Sequence, residues 1–173
     1  MEKIPYYAIT VRRYNVLFRH TEWFHQTQAL YNEVLLFYYQ LYLETFPDEQ
    51  PGTQEALRTL EKLTIVGRDK QPVPNSLPWK KVPLYFRRAA INTATAAAKS
   101  YLARDRQEKP TEAFTESVTF YKGMYRDFQE NTISLKLWDG EGWRWCRLRL
   151  RGNTVPEEGQ MMSPALVLKK DRV

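Results

Sequence analysis

The spacing of apolar residues changes period once along this 173-residue chain, and that change limits the fold more than any other feature. Between Thr21 and Arg106 the apolar positions recur three and four residues apart, whereas from Ser117 onward they alternate with polar ones. The first spacing places apolar side chains on one face of a helix, and the second places them on one face of a strand. A helical block followed by a strand-rich block is an α+β chain.

The elements follow from the same reading. Tyr6 to Arg13 alternates Tyr7, Ile9 and Val11 with Ala8, Thr10 and Arg12, which predicts a first strand. A helix is predicted from Thr21, its N-cap, to the Phe46-Pro47 step, with Trp23, Phe24, Leu30, Tyr31, Val34, Leu35, Tyr38, Leu41 and Tyr42 at helical spacing. Tyr38, Tyr39 and Tyr42 read as packing residues. The Pro51-Gly52 turn leads to a short helix capped by Thr53, with Leu57, Leu60 and Leu63 on one face. After a proline-rich loop over 67–78, a third helix begins at Pro83 and runs to about Arg104. Its alanines, from Ala89-Ala90 to Ala98, allow a close helix neighbour. Strands are then predicted over 117–122, 132–138, 143–151 and 165–168, with Asp139-Gly140-Glu141-Gly142 as a hairpin turn. One strand, a helical block and four strands match a small OB-like β-barrel with a helical insertion after its first strand. The barrel would comprise 1–20 and 107–173, and the insertion 21–106.

Charge and rare residues narrow the chemistry. The net charge is +6, and it is concentrated: 78–106 carries seven basic residues and one acidic, whereas 21–77 carries four basic and eight acidic. The basic block suits a phosphate-facing helix as well as it suits a solvated helix face. Cys146 is the only cysteine, so no disulfide framework or zinc ribbon can be built, and no cofactor or metal is expected. His20 and His25 have no carboxylate or thiol at metal spacing and read as structural. Glu157 and Glu158 are adjacent in a loop, so their side chains diverge, and neither GxxxxGK[ST] nor GxGxxG occurs. No enzyme is expected from this chain alone. No run of apolar residues is long enough to span a bilayer, so a cytoplasmic protein without a membrane partner is expected.

The strand over 143–151, WRWCRLRLR, has two unlike faces. Arg144, Cys146, Leu148 and Leu150 share one, and Trp143, Trp145, Arg147, Arg149 and Arg151 share the other. Indoles followed by guanidiniums suit base stacking and phosphate pairing. The competing reading covers both indoles with the helical block and leaves the arginines at a rim. Lys80, Lys81, Arg87 and Arg88 around the start of the third helix are further phosphate candidates, as are Lys122 and Arg126 beside Tyr121 and Tyr125.

The order of these features resembles the N-terminal half of the TnpB nucleases of insertion sequences and of the compact type V CRISPR effectors. The residues that carry the resemblance are a tyrosine-rich first strand, the Trp23 to Tyr42 helix with Leu30-Tyr31-Asn32, the Phe86-Arg87-Arg88-Ala89-Ala90 helix, Trp143 to Gly152 and Ser163 to Leu168. The resemblance implies a prokaryotic, transposon- or CRISPR-associated chain whose wedge-like OB barrel and helical recognition insertion hold structured guide RNA and target DNA. The family's RuvC half, with its catalytic carboxylates and zinc ribbon, has no counterpart here. The chain is therefore expected to be either part of a split or truncated effector, with a RuvC nuclease chain as partner, or a stand-alone derivative. Its expected function is non-catalytic RNA and DNA binding. The alternative is an assembly subunit that docks a protein through its aromatic surface.

Overall fold

The computed structural model describes residues 11–104, 115–129, 131–152 and 162–168. Its elements run β1 (Asn15–Leu17), α1 (Thr21–Thr45), α2 (Thr53–Thr64), α3 (Leu84–Ala103), β2 (Ser117–Thr119), β3 (Tyr125–Gln129), β4 (Thr132–Trp138), β5 (Trp143–Arg151) and β6 (Ala165–Val167). The chain is α+β. Its strands form an antiparallel sheet in the order β1-β5-β4-β3 and a two-stranded sheet of β2 and β6. No closed barrel forms among the described residues.

The helices follow the apolar spacing closely. Helix α1 buries Tyr31, Tyr38, Tyr39 and Tyr42 almost completely, and α3 buries Ala89, Ala90, Ala94 and Ala98. These two helices pack on each other. Small side chains on α3 let the backbones approach, and the tyrosine rings of α1 fill the volume around them. Buried phenols need partners. The Tyr31 hydroxyl lies 2.9 Å from Thr93 Oγ1, and the Tyr38 hydroxyl lies 2.9 Å from Thr64 Oγ1. Thr64 in turn donates to the Leu60 carbonyl at 2.8 Å, which leaves Tyr38 as the donor in its pair. Burial pushes the Tyr31 phenol up to about 12.

Helix boundaries fall within a residue of expectation, for reasons of capping. His20, Gly52 and Pro83 take the N-cap positions, and none caps through its side chain. Thr21, Thr53 and Leu84 become the first helical residues. Pro83 still serves as a start, because its carbonyl accepts from Arg87 N at 3.0 Å.

The first strand differs from expectation. Residues 6–10 lie outside the described residues, 11–13 form no strand, and pairing begins at Asn15. Val16 opposes Leu150, so Tyr14, Val16 and Phe18 supply the half-buried positions. The strand expected over 117–122 stops at Thr119, because the chain turns where Met124 N donates to the Tyr121 carbonyl at 2.8 Å. Strand β3 was hidden in the sequence because Asp127, at φ +52°, breaks its alternation where the register with β4 shifts.

Three side chains fix α1 to the end of β4 and to the segment that leads into β2. Thr27 Oγ1 donates to the Trp23 carbonyl at 2.6 Å and accepts from Trp138 N at 2.9 Å. Asn32 Nδ2 donates to the Thr115 carbonyl at 3.0 Å, and its Oδ1 accepts from Thr115 N at 2.9 Å. Gln28 Nε2 donates to the Glu116 carbonyl at 3.0 Å. The inner face of the four-stranded sheet, with Ile133, Leu135, Leu137, Cys146, Leu148 and Leu150, joins the helical residues in one apolar cluster.

Gly123 precedes β3 at φ +105°, and a Cβ built there would lie 2.6 Å from the Tyr85 ring. Gly123→Ala therefore combines a strained backbone with a clash. It is expected to cost roughly 1–3 kcal/mol, read as a lower urea midpoint.

Candidate nucleic-acid interface

Strand β5 presents its two faces as the alternation requires. Cys146, Leu148 and Leu150 are buried, whereas Arg147, Arg149 and Arg151 are exposed. Cys146 packs in the apolar cluster, and burial there pushes its thiol up. The four-residue turn sets the register with β4: Trp138 opposes Trp143, Lys136 opposes Trp145, Ser134 opposes Arg147 and Thr132 opposes Arg149. On β3, Arg126 opposes Ser134, and on β1, Leu17 opposes Arg149. Arg126, Ser134 and Arg147 thus form a row across three strands. Ser134 is small and lies almost wholly covered between two arginine positions.

The turn holds this register through Asp139. Its Oδ1 accepts from Glu141 N at 2.9 Å and Gly142 N at 2.7 Å, and its Oδ2 accepts from Arg144 Nε. The Arg144 bond, with the two backbone donors, holds the Asp139 carboxyl at about 2. Gly140 takes φ +98°, a conformation that a side chain would strain.

The two indoles of β5 have different surroundings. Trp143 donates Nε1–H to the Lys81 carbonyl at 2.6 Å and meets the Phe86 ring at 4.8 Å and the Trp138 ring at 5.5 Å. The segment entering α3 therefore covers part of it and engages its Nε1–H. Trp145 remains 37% exposed, with the Arg126 guanidinium 4.1 Å from its ring centroid and Lys136 Nζ at 6.0 Å. Arg126 also lies 3.3 Å from Asp127. Arg147, Arg149 and Arg151 have no carboxylate partner among the described residues.

A family model for the Aq_aa04 family matches residues 6–139. The chain belongs to the Aq_aa04 family. No curated protein and no solved structure matches it. The Aq_aa04 match takes in β1, α1, α2, α3, β2, β3 and β4 and stops at the turn before β5.

Within the Aq_aa04 segment the remaining candidates divide by their surroundings. Arg87 is 9% exposed and donates through Nη2 to Glu61 Oε1 at 3.1 Å. Arg88 binds the same carboxylate in bidentate fashion, Nε to Oε1 at 3.0 Å and Nη2 to Oε2 at 2.9 Å. Both guanidiniums are thus engaged in joining α3 to α2. Burial pushes the Glu61 carboxyl up, but hydrogen bonds from Arg88 and Arg87 outweigh it and hold the group below its ordinary value. Lys80 and Lys81 are exposed beside a cleft of about 260 Å³ that Leu30, Trp79, Val82, Trp138 and Glu141 also line. Lys122 is exposed in the turn before β3. Tyr125 opposes Leu135 and packs against the apolar cluster, so it faces away from Arg126. Tyr121 accepts from Asn92 Nδ2 at 2.8 Å.

Lys136 was not among the sequence candidates. Counting back from the four-residue turn would have found it, since the hairpin register sets it opposite Trp145. No His, Cys, Asp and Glu group that could hold a metal ion occurs among the described residues. No helix among them is long and apolar enough to cross a membrane.

Proposed function

We propose that this chain is a nucleic-acid-binding module without catalytic function of its own, and that it binds RNA on the outer face of its four-stranded sheet. The observation that carries the reading is the stripe of Arg147, Arg149 and Arg151, free of carboxylate partners among the described residues, beside the exposed Trp145. Alternate residues on a strand stand roughly 6–7 Å apart, close to the separation of consecutive phosphates along a strand. Guanidiniums pair phosphate oxygens bidentately. Trp145, with the Arg126 guanidinium over its ring, offers an aromatic and cationic surface to an unpaired base. Arg87 and Arg88 are left out of this interface, since Glu61 occupies them.

The OB-like barrel belongs to this proposal too. The β3-β4-β5 meander with β1 added to β5 supports it. Guide RNA and target DNA as the bound species, and a RuvC chain as partner, rest on the resemblance to TnpB-like effectors.

The test is a salt titration of binding to a structured RNA. Arg147→Ala and Arg149→Ala should each weaken binding by roughly 1–2 kcal/mol and lower the salt slope by about one unit, with an unchanged melting temperature. A flat slope, or no binding at low salt, would overturn the reading and favour the protein-docking alternative.

A further inference from the structure

Beside the arginine stripe lies an open depression of about 400 Å³. The segment from β1 to α1 lines it with Leu17, Phe18, Arg19 and His20, and β5 lines it with Arg147 and Arg149. Three guanidiniums from two separate parts of the chain therefore converge on one small space. None of the three side chains has a hydrogen-bond or ion-pair partner among the described residues. The one carboxylate bonded to a lining residue is Glu22, 3.2 Å from His20 Nδ1, and the His20 ring is stacked on Trp23 at 4.4 Å. The imidazole is thus held in place at one wall, while Leu17 and Phe18 give the depression an apolar side.

Charge decides what suits this lining. An internal phosphodiester brings a single negative charge, which one guanidinium matches. A phosphomonoester carries roughly −1.5 to −2 at neutral pH and three terminal oxygens, each able to accept from a guanidinium fork. An inorganic anion would leave the Leu17 and Phe18 wall unused, whereas a nucleotide would place its sugar or base there. We infer that the depression is a phosphomonoester site, filled by the terminal phosphate of a nucleic-acid strand or by a free nucleotide. The strand-terminus form rests on the nucleic-acid reading above, and the free-nucleotide form does not.

The test titrates the full chain with adenosine 5′-monophosphate and, as a control, adenosine, following the arginine Nε–Hε resonances by NMR. In parallel, two oligoribonucleotides that differ only in a 5′-phosphate or a 5′-hydroxyl are compared for affinity. The monophosphate should shift Arg19, Arg147 and Arg149 saturably while adenosine does not. The phosphorylated strand should bind roughly tenfold tighter than its hydroxyl twin. Arg19→Ala, at an exposed position, should abolish both effects while keeping the melting temperature. Saturable shifts without a strand preference assign the site to free nucleotides, and a strand preference without such shifts assigns it to strand ends. Absence of both, or both surviving in Arg19→Ala, overturns the inference. If neither strand binds but the monophosphate does, the RNA reading falls and the phosphomonoester site stands.

Discussion

Glu61→Ala is expected to destabilise the protein by roughly 3–5 kcal/mol, the cost of leaving a buried charge unpaired. Glu61 accepts from two arginines at once, and the two depend on it unequally. The Arg88 side chain is 39% exposed, so water can replace the lost carboxylate. The Arg87 side chain is 11% exposed, and its Nε is buried without a hydrogen-bond partner, so Glu61 is the only countercharge it has among the described residues. The loss should therefore come mostly from Arg87. Replacing Glu61 and Arg87 together with apolar residues of similar volume should recover much of it, because the desolvation cost of the pair then disappears as well. Chemical denaturation of the single and double variants measures both quantities.

The same pair predicts an acid limb of stability. Glu61 titrates lower in the fold than its ordinary value of 4.5, so the unfolded chain binds the proton more readily. The contribution of the carboxylate is present above the ordinary value and is lost as pH falls through the folded-state value. Stability of the wild-type chain and of Glu61→Gln should converge over that acid range. An unchanged gap between them there would show that the Glu61 charge does not stabilise the fold.

The helices were legible because each sequence cue was local. Tyr31, Val34, Leu35, Tyr38 and Tyr42 recur at helical spacing, and all are buried. The hairpin of β4 and β5 was legible for a similar reason, since a four-residue turn joins two alternating runs and fixes which residues oppose each other. Strand β1 was not. Its three residues are set by pairing with a strand more than a hundred positions later, whereas the better alternation lies upstream, over 6–13. The site divided in the same way. The exposure of Arg147, Arg149 and Arg151 follows from alternation within one strand. The burial of Arg87 and the covering of Trp143 depend on Glu61, Phe86 and Lys81, partners that spacing along the chain cannot bring together. The depression lined by Arg19 escaped for the same reason, being made by two segments that meet only in the fold.

Leu148→Ala is expected to cost roughly 2–5 kcal/mol, the range for deleting a large apolar side chain from a packed core. Leu148 is fully buried and opposes Ile133, with Cys146 and Leu150 on the same face of β5. Removing its branched end leaves a cavity that a sheet, held by hydrogen bonds to both neighbouring strands, cannot close by moving one strand. Its chain neighbours Arg147 and Arg149 project from the opposite face, so the folded fraction of the variant should bind RNA with wild-type affinity and salt slope. Arg149→Ala should do the reverse, with an unchanged melting temperature and weaker binding. Melting curves and binding isotherms for the two variants, taken below the lower melting temperature, separate the effects. A Leu148→Ala protein that stays fully stable but loses binding would reverse the assignment of the two faces, and the arginine stripe could then no longer be the contact surface.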